Sequence, residues 1–487
     1  MKKIISLVTA GMLFVGIAAA ESSVLVKVKE NSRWGISDAQ GRTILPTEYK
    51  VVRVSDDGTV LAKGDNKKIA VYDTQGHMLL PQEFDAVYVN DDKSYFALKN
   101  KKYRYYDQEG RQVTPDEYDD IAKFYEGYAS VKQGKKWGFI DKAGKMSIAP
   151  RFDSGGFFSE GLAAVKQGKT YSYIDYSGKE ILGGAYKYAA PFSEGLAKVR
   201  VNGKTAFIDK TGRVAFISSY ENVSSFIDGL AQVKVKVSKF SPLGFIGNAI
   251  IGSWAGPDIY RVKKHYSYSV TKAEDPYIFD TVVEDEKRGF LNREGELVIT
   301  TKYDYVGPYG EGGEGLTLVV KDDKAGYVDK EGAFVIAPLY DELTPFAEGA
   351  AVAKLGGMAQ FINIKGEPLT KNVYNDAQLF AHGLAAFKLG DRWGYIDKSG
   401  VTVVRPKYDE AGYFSGRVAP VKLNGKWMLI DAGGAKVTDL RGVSDVGTFV
   451  GGLAPAEKSG HWGVVDESGN FVIEPKYKEV ELLSIES

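Results

Sequence analysis

Apolar residues along this chain come in short runs of about five, partly alternating with polar ones and broken by glycine-containing turns. One stretch shows the pattern. The run Leu162-Ala163-Ala164-Val165-Lys166 ends at Gln167-Gly168, and Thr170-Tyr171-Ser172-Tyr173-Ile174-Asp175 follows. Elsewhere the same break is Asn202-Gly203 or Asn424-Gly425, a two-residue hairpin signal because both positions tolerate positive φ. The second run closes on Asp-x-x-Gly, as at Asp141 and Gly144, Asp397 and Gly400, or Asp466 and Gly469. There the aspartate accepts a backbone N–H and the glycine takes the left-handed conformation. A third run follows, such as Lys145-Met146-Ser147-Ile148, and then a proline in several places: Pro46, Pro81, Pro115, Pro150, Pro338, Pro406 and Pro475. Proline cannot donate to a ladder, so the pattern predicts that the strand ends there. No 18-residue window sustains helical periodicity. The chain reads as all-β, built from three-stranded antiparallel meanders joined by connectors of the type Pro-x-Tyr-Asp…Phe-Ser-Glu-Gly.

The pattern repeats. Its aspartate recurs at Asp38, Asp73, Asp107, Asp141, Asp175 and Asp209, then at Asn292, Asp329, Asn363, Asp397, Asp431 and Asp466. Successive spacings are 35, 34, 34, 34, 34, 83, 37, 34, 34, 34 and 35. About twelve units of ~34 residues stacked in tandem are expected, because three short strands cannot bury an apolar face alone. A propeller blade usually has four strands in about 40–45 residues. The three-strand unit therefore predicts an open superhelix or solenoid, with two propeller-like lobes of six units as the alternative. The one long interval holds an insertion of 49 residues at a hairpin turn. The predicted organisation is residues 1–20, a leader; 21–237, repeats one to six; 238–280, the insertion; and 281–487, repeats seven to twelve.

Composition changes this picture little. The 487 residues carry 63 basic and 63 acidic side chains, so no global field favours nucleic acid or an anionic surface. There is no cysteine, which removes disulfides, thiolate metal sites and thiol nucleophiles. Glycine is abundant at 56 residues, and most of it punctuates the repeats: twelve end the Asp-x-x-Gly turns, six follow a recurring tryptophan position, eight follow a recurring acidic position and others sit in the first hairpin turn. The first residues do add something. Lys2 and Lys3, an apolar run to Ala20, and Ala18-Ala19-Ala20 describe a secretory signal peptide cleaved after Ala20, which places the mature protein in the periplasm, at the surface or outside.

Trp34-Gly35, Trp137-Gly138 and Trp393-Gly394, each within a K/R-W-G-[FYIV]-[IVS]-D pattern, and Trp462-Gly463, where His461 takes the first position, give the chain its resemblance to the bacterial WG-repeat (KWG) family. That resemblance implies tandem β repeats in often exported proteins, and no assigned catalysis or ligand. The residues point the same way. Asn292 and Asn363 sit in the aspartate column and cannot serve as acid or base, so the column tracks turn chemistry. A second column (Glu126, Glu160, Glu194, Asp228, Glu314, Glu348) precedes glycine and is expected to be a structural hydrogen-bond partner, a row of calcium sites being the sharper alternative. Trp34, Trp137, Trp393, Trp427 and Trp462 are expected to pack between units, with a sugar-stacking ladder as the alternative. His77, His265, His382 and His461 share no metal-binding spacing. No catalytic, cofactor or metal site is expected. For specificity the expectation falls on the insertion, where residues 241–257 carry no charge and Phe245, Ile246, Ile250, Ile251 and Trp254 form the candidate partner-binding set. Packing of these residues on the array, or contact with a membrane surface helped by Lys263 and Lys264, are the competing readings. The expected function is a non-enzymatic exported scaffold that binds a protein or envelope polysaccharide. A surface hydrolase or carbohydrate-binding protein is the alternative.

Overall fold

The computed structural model describes residues 23–115, 117–236, 286–310 and 313–485. The leader and the insertion, with Phe245, Ile246, Ile250, Ile251 and Trp254, lie outside the described residues. The described residues form twelve small antiparallel sheets and no helix. The fourth sheet is typical: Asp120–Ile121, Tyr128–Gln133, Lys136–Asp141 and Met146–Phe152 pair in that order. These positions are called strands a to d below. Strands b, c and d are the three expected runs. Strand a comes from the connector, which is short but pairs with the following unit, as Asp120↔Lys132 and Ile121↔Val131 do here. The expectation of three-stranded units is corrected accordingly. The connector is a strand, and its two paired residues are too few to show an alternation in sequence.

The prolines are also corrected. Pro46, Pro81, Pro150, Pro338, Pro406 and Pro475 lie inside strand d rather than at its end. Strand d is a sheet edge, and it bulges at the proline, so no ladder bond is lost there. The bulge explains the glycine of Trp-Gly. A Cβ at Gly394 would lie 2.4 Å from the Val404 carbonyl oxygen and 2.8 Å from the Pro406 nitrogen. Only glycine lets the bulged strand cross there.

Each sheet packs on the next through one apolar cluster. Phe139, Ile148 and Phe152 of the fourth sheet meet Phe158, Ala163 and Val165 of the fifth, for example. Twelve such clusters join twelve sheets, so the array has no free end. The twelfth cluster joins Leu453, Val464, Ile473 and Tyr477 of the last sheet to Val24, Val26 and Val28 of the first. Closure is also staggered along the chain, through backbone pairing. Strand a of the first sheet is the C-terminal strand Glu479–Ile485, antiparallel to Ser23–Glu30 from Ser23↔Ile485 to Lys29↔Glu479. The expected open superhelix is thereby overturned. The propeller alternative holds, in the form of one twelve-bladed ring. The insertion falls within the seventh blade, between Ala231–Lys236 and Glu286–Leu291, and the clusters on either side of that blade continue the ring.

A Gly394→Ala substitution should cost about 1–3 kcal/mol through overpacking. Hydrogen exchange should show it as lost protection in Arg392–Asp397 and Thr402–Tyr408 of the tenth blade. Unchanged protection there would mean that the bulge does not require the glycine.

Candidate interaction surface

Alternation of strand direction sorts the connections onto two faces. The a–b and c–d turns share one face, while the b–c hairpins and the d-to-a crossings share the other. On the first face, all twelve residues of the aspartate column accept two N–H groups of their own turn. Asp141 Oδ1 takes Ala143 N at 3.0 Å and Lys145 N at 2.9 Å, and Asn292 and Asn363 do the same with their side-chain oxygens. Asp397 and Asp466 repeat the geometry with Ser399 and Val401, and with Ser468 and Asn470. Gly144, Gly400 and Gly469 close these turns at positive φ. The remaining columns match: Asp38, Asp73, Asp107, Asp175, Asp209, Asp329 and Asp431. At Asp209 the Thr211 hydroxyl and the turn amides hold the carboxyl down to about 2.

The glutamate column works between blades. Glu126 accepts Glu160 N at 2.7 Å and Gly161 N at 3.0 Å, and Glu160, Glu194 and Glu348 likewise accept Gly195 N, Gly229 N and Gly383 N of the following blade. Each glutamate sits at positive φ before its glycine, the geometry of a tight hairpin turn. The residue after the column aspartate of the next blade adds a second bond: Tyr176 to Glu126, Lys210 to Glu160 and Lys398 to Glu348. At the eleventh blade the column position is Gly416 instead of an acid. The carboxylate then comes from the other side, where Glu467 of the twelfth blade accepts Arg417 N.

On the hairpin face a third carboxylate, in the Tyr-Asp of the connector, staples neighbours together. The first residue of strand c reaches it 17 positions on: Lys102–Asp119, Lys136–Asp153 and Lys324–Asp341 lie at 2.5, 2.6 and 2.5 Å, and Arg392 pairs with Asp409. The other oxygen takes the hairpin amide of the next blade, as Asp153 takes Gly168 N at 2.7 Å. Where strand c opens with Met358, the acid is replaced by Asn375, which keeps the amide bond to Gly390. Sequence reading named this aspartate only as part of a connector. Its coupling to the cation 17 residues earlier was a signal available in the repeats.

The tryptophans pack between blades. Trp137 and Trp427 are buried, and Trp34, Trp393 and Trp462 are partly buried against the inter-blade clusters. Four of the five face the aromatic residue that ends strand d: Trp34↔Tyr49, Trp137↔Phe152, Trp393↔Tyr408 and Trp462↔Tyr477. Lysines cap Trp34, Trp137, Trp393 and Trp427, with Lys27 Nζ 4.0 Å from the Trp34 ring. His77 bonds its own column residue, Asp73, at 2.8 Å, and His461 lies 3.2 Å from the Ser459 carbonyl. Among the described residues no three His, Asp or Glu converge as metal ligands, and no helix is long and apolar enough to cross a membrane.

Two depressions are shallow and occupied by paired charges. In one, of about 470 Å³ between the first two blades, Asp65 takes both Arg33 (2.9 Å) and Lys50 (3.0 Å). In the other, of about 200 Å³ between blades three and four, Asp92 takes Lys142 at 2.6 Å and Glu126 is already bonded to turn amides. Burial raises Asp120 and Asp445 above the ordinary carboxylate range, but they stand in blades four and twelve and each accepts the N–H of its neighbour. No candidate acid–base pair arises among these groups.

Comparison with known proteins places the pattern. A family model described as "WG containing repeat" matches residues 103–137, 137–171, 171–204, 206–236, 289–324, 326–358, 361–393, 393–427 and 462–484, more than half of the chain. No curated protein sequence matches. Similar solved structures include one described as "the eukaryotic initiation factor" (10% identity, TM-score 0.30, covering 95% of this chain and 98% of that one). Another is the extracellular domain of a proposed one-component system of B. thetaiotaomicron (10% identity, TM-score 0.24, 98% and 78%). A third is AztD of Citrobacter koseri (10% identity, TM-score 0.26, 96% and 100%). Likeness at this level carries no functional argument.

The staples give a pH dependence. Lys102, Lys136 and Lys324, and then the hairpin amides, hold Asp119, Asp153 and Asp341 below the ordinary carboxylate range. Stability from a carboxylate with a depressed folded pKa is complete above its unfolded pKa and is lost as pH falls through the folded value. The melting temperature should hold from neutrality to about pH 5 and fall below about pH 4. Asp153→Ala should lower it at neutral pH and flatten the acid limb. Asp153→Asn should fall between the two, since it keeps the amide bond as Asn375 does. Equal effects of the two substitutions would show that Lys136 contributes nothing.

Proposed function

The chain belongs to the family of WG-containing repeats, and from that premise we propose that it is a non-enzymatic scaffold, exported on its first twenty residues, that holds a macromolecular partner at the cell envelope. The carrying observation is the state of its repeated carboxylates. Every member of the aspartate column, and four of the glutamate column, is bonded to turn amides, so the groups that would serve a hydrolase are engaged in holding the ring. What the framework offers is surface. Twelve sheets spaced about 10 Å apart give a closed path about 120 Å long. That suits an extended macromolecule, protein or polysaccharide, better than a small ligand.

Specificity in this reading comes from the insertion. The other b–c hairpins are closed by a few residues, such as Gln133 to Lys136 or Val201 to Lys204. In the seventh blade Lys236↔Glu286 is the last pair, and 49 residues depart and return there, on the hairpin face. Loops added to a rigid repeat are where binding chemistry is usually placed.

The test replaces residues 237–285 with Asn-Gly, the turn of the sixth blade, and compares proximity labelling or capture from intact cells. The shortened protein should keep its circular dichroism and lose the partner that the full chain retains. Identical partner sets from both proteins would remove the insertion from the account.

A further inference from the structure

Ten of the twelve sheets end in a d strand, and such an edge presents unpaired N–H and C=O groups that invite another strand. Because the repeats are copies of one unit, their edges can be compared directly. Six carry a proline inside a doubly bulged strand: Pro46, Pro81, Pro150, Pro338, Pro406 and Pro475. In blades three and nine the segment touches its sheet only at isolated bridges. Blade five, Glu180–Tyr186, is interrupted by two register shifts, and blade seven, Leu297–Ile299, has three residues with Ile299 buried.

Two edges remain, Val214–Ile217 in blade six and Lys436–Asp439 in blade eleven. Both have four residues and a single register shift. Both are followed by a residue that donates its N–H back into its own sheet, Ser218 to Thr205 O at 2.9 Å and Leu440 to Trp427 O at 3.0 Å. They differ in protection. The eleventh edge carries the ion pair Lys436–Asp439 at 3.0 Å, and charge on an edge opposes strand addition. The sixth reads Val-Ala-Phe-Ile, with Val214 and Ile217 exposed by 52% and 58%.

We propose that the Val214–Ile217 edge pairs antiparallel with the same edge of a second copy of this chain, making a two-fold dimer of rings. Several observations favour a second copy as the occupant. About a two-fold axis Val214 faces Ile217 of the other copy and Ala215 faces Phe216, so the exposed apolar side chains cover one another. Arg213 then faces Ser218 and not another Arg213, which avoids opposing like charges across the pair. The formal net charge is zero, and stays near zero without Lys2 and Lys3, so two copies repel little. One open edge among the described residues also gives a closed dimer, where two would give a filament.

Blade eleven supplies the test. Val214 and Ile217 occupy the register positions of Lys436 and Asp439, each pair lying opposite the first and third partners of strand c. Val214→Lys with Ile217→Asp therefore writes the protected edge into blade six. Analytical ultracentrifugation of the purified protein should show a concentration-dependent dimer. The double variant should weaken its dissociation constant at least about tenfold, with circular dichroism and melting unchanged. The reciprocal change, Lys436→Val with Asp439→Ile, opens a second edge and should produce species larger than the dimer. A wild-type protein that stays monomeric overturns the proposal, as does a dimer untouched by the first variant. If that variant misfolds, the reciprocal one decides: no species beyond those of the wild type counts against the edge.

Discussion

The ring depends on burial between sheets. A blade of four strands, some only two residues long, has two apolar faces and can cover neither by itself. Every face is covered by the neighbouring blade, and the last by the first. Opening that final contact would expose nine buried residues, including Val26, Val464, Ile473, Tyr477 and Leu482. At about 1.5–3 kcal/mol for full exposure of a large apolar side chain, and with part of each still covered, closure gains on the order of 10 kcal/mol. Joining the ends of a flexible chain of this length costs only about 5 kcal/mol in its length-dependent part. Burial wins, and the array closes.

Polar groups then fix the register of what burial holds together. On one face four glutamates each tie an a–b turn to the next; on the other, Asp153 and its equivalents join a lysine of one blade to a hairpin of the next. These are exposed hydrogen bonds and ion pairs, individually weak in water. Their repetition around a closed ring gives them their role, because each limits the rotation of one blade against its neighbour. The same engagement explains why carboxylates recur so regularly in a chain for which the repeats supply no acid–base pair.

Much of this was legible in the residues. Strands b, c and d, the turn aspartates and the structural hydrogen-bonding role of the glutamates follow from local chemistry that repeats along the chain; that the glutamates bond to the next blade does not. Three further features were not legible. Strand a, such as Asp120–Ile121, is too short to show alternation, and its pairing with Lys132 and Val131 lies across a turn that the connector conceals. Without that strand the unit looks too small for a blade. Closure was hidden for a different reason: it is carried by Glu479–Ile485, which completes a sheet begun some 450 residues earlier, and no local pattern marks a partner at that distance. The glycine of Trp-Gly was visible as a column, but the bulge that demands it was not, because the pattern places a strand end where the strand continues through Pro406.

The absence of cysteine makes the closure directly measurable. Lys27 and Glu481, paired across the first and last strands with 2.9 Å between their charged atoms, can be replaced by the only two thiols in the protein. A short thiol crosslinker applied to the folded protein should join them within one chain rapidly and nearly completely, and unfolding beforehand should abolish the product. An open array keeps its two ends twelve units apart, so failure to crosslink in the folded state, with both thiols reactive, would contradict the ring.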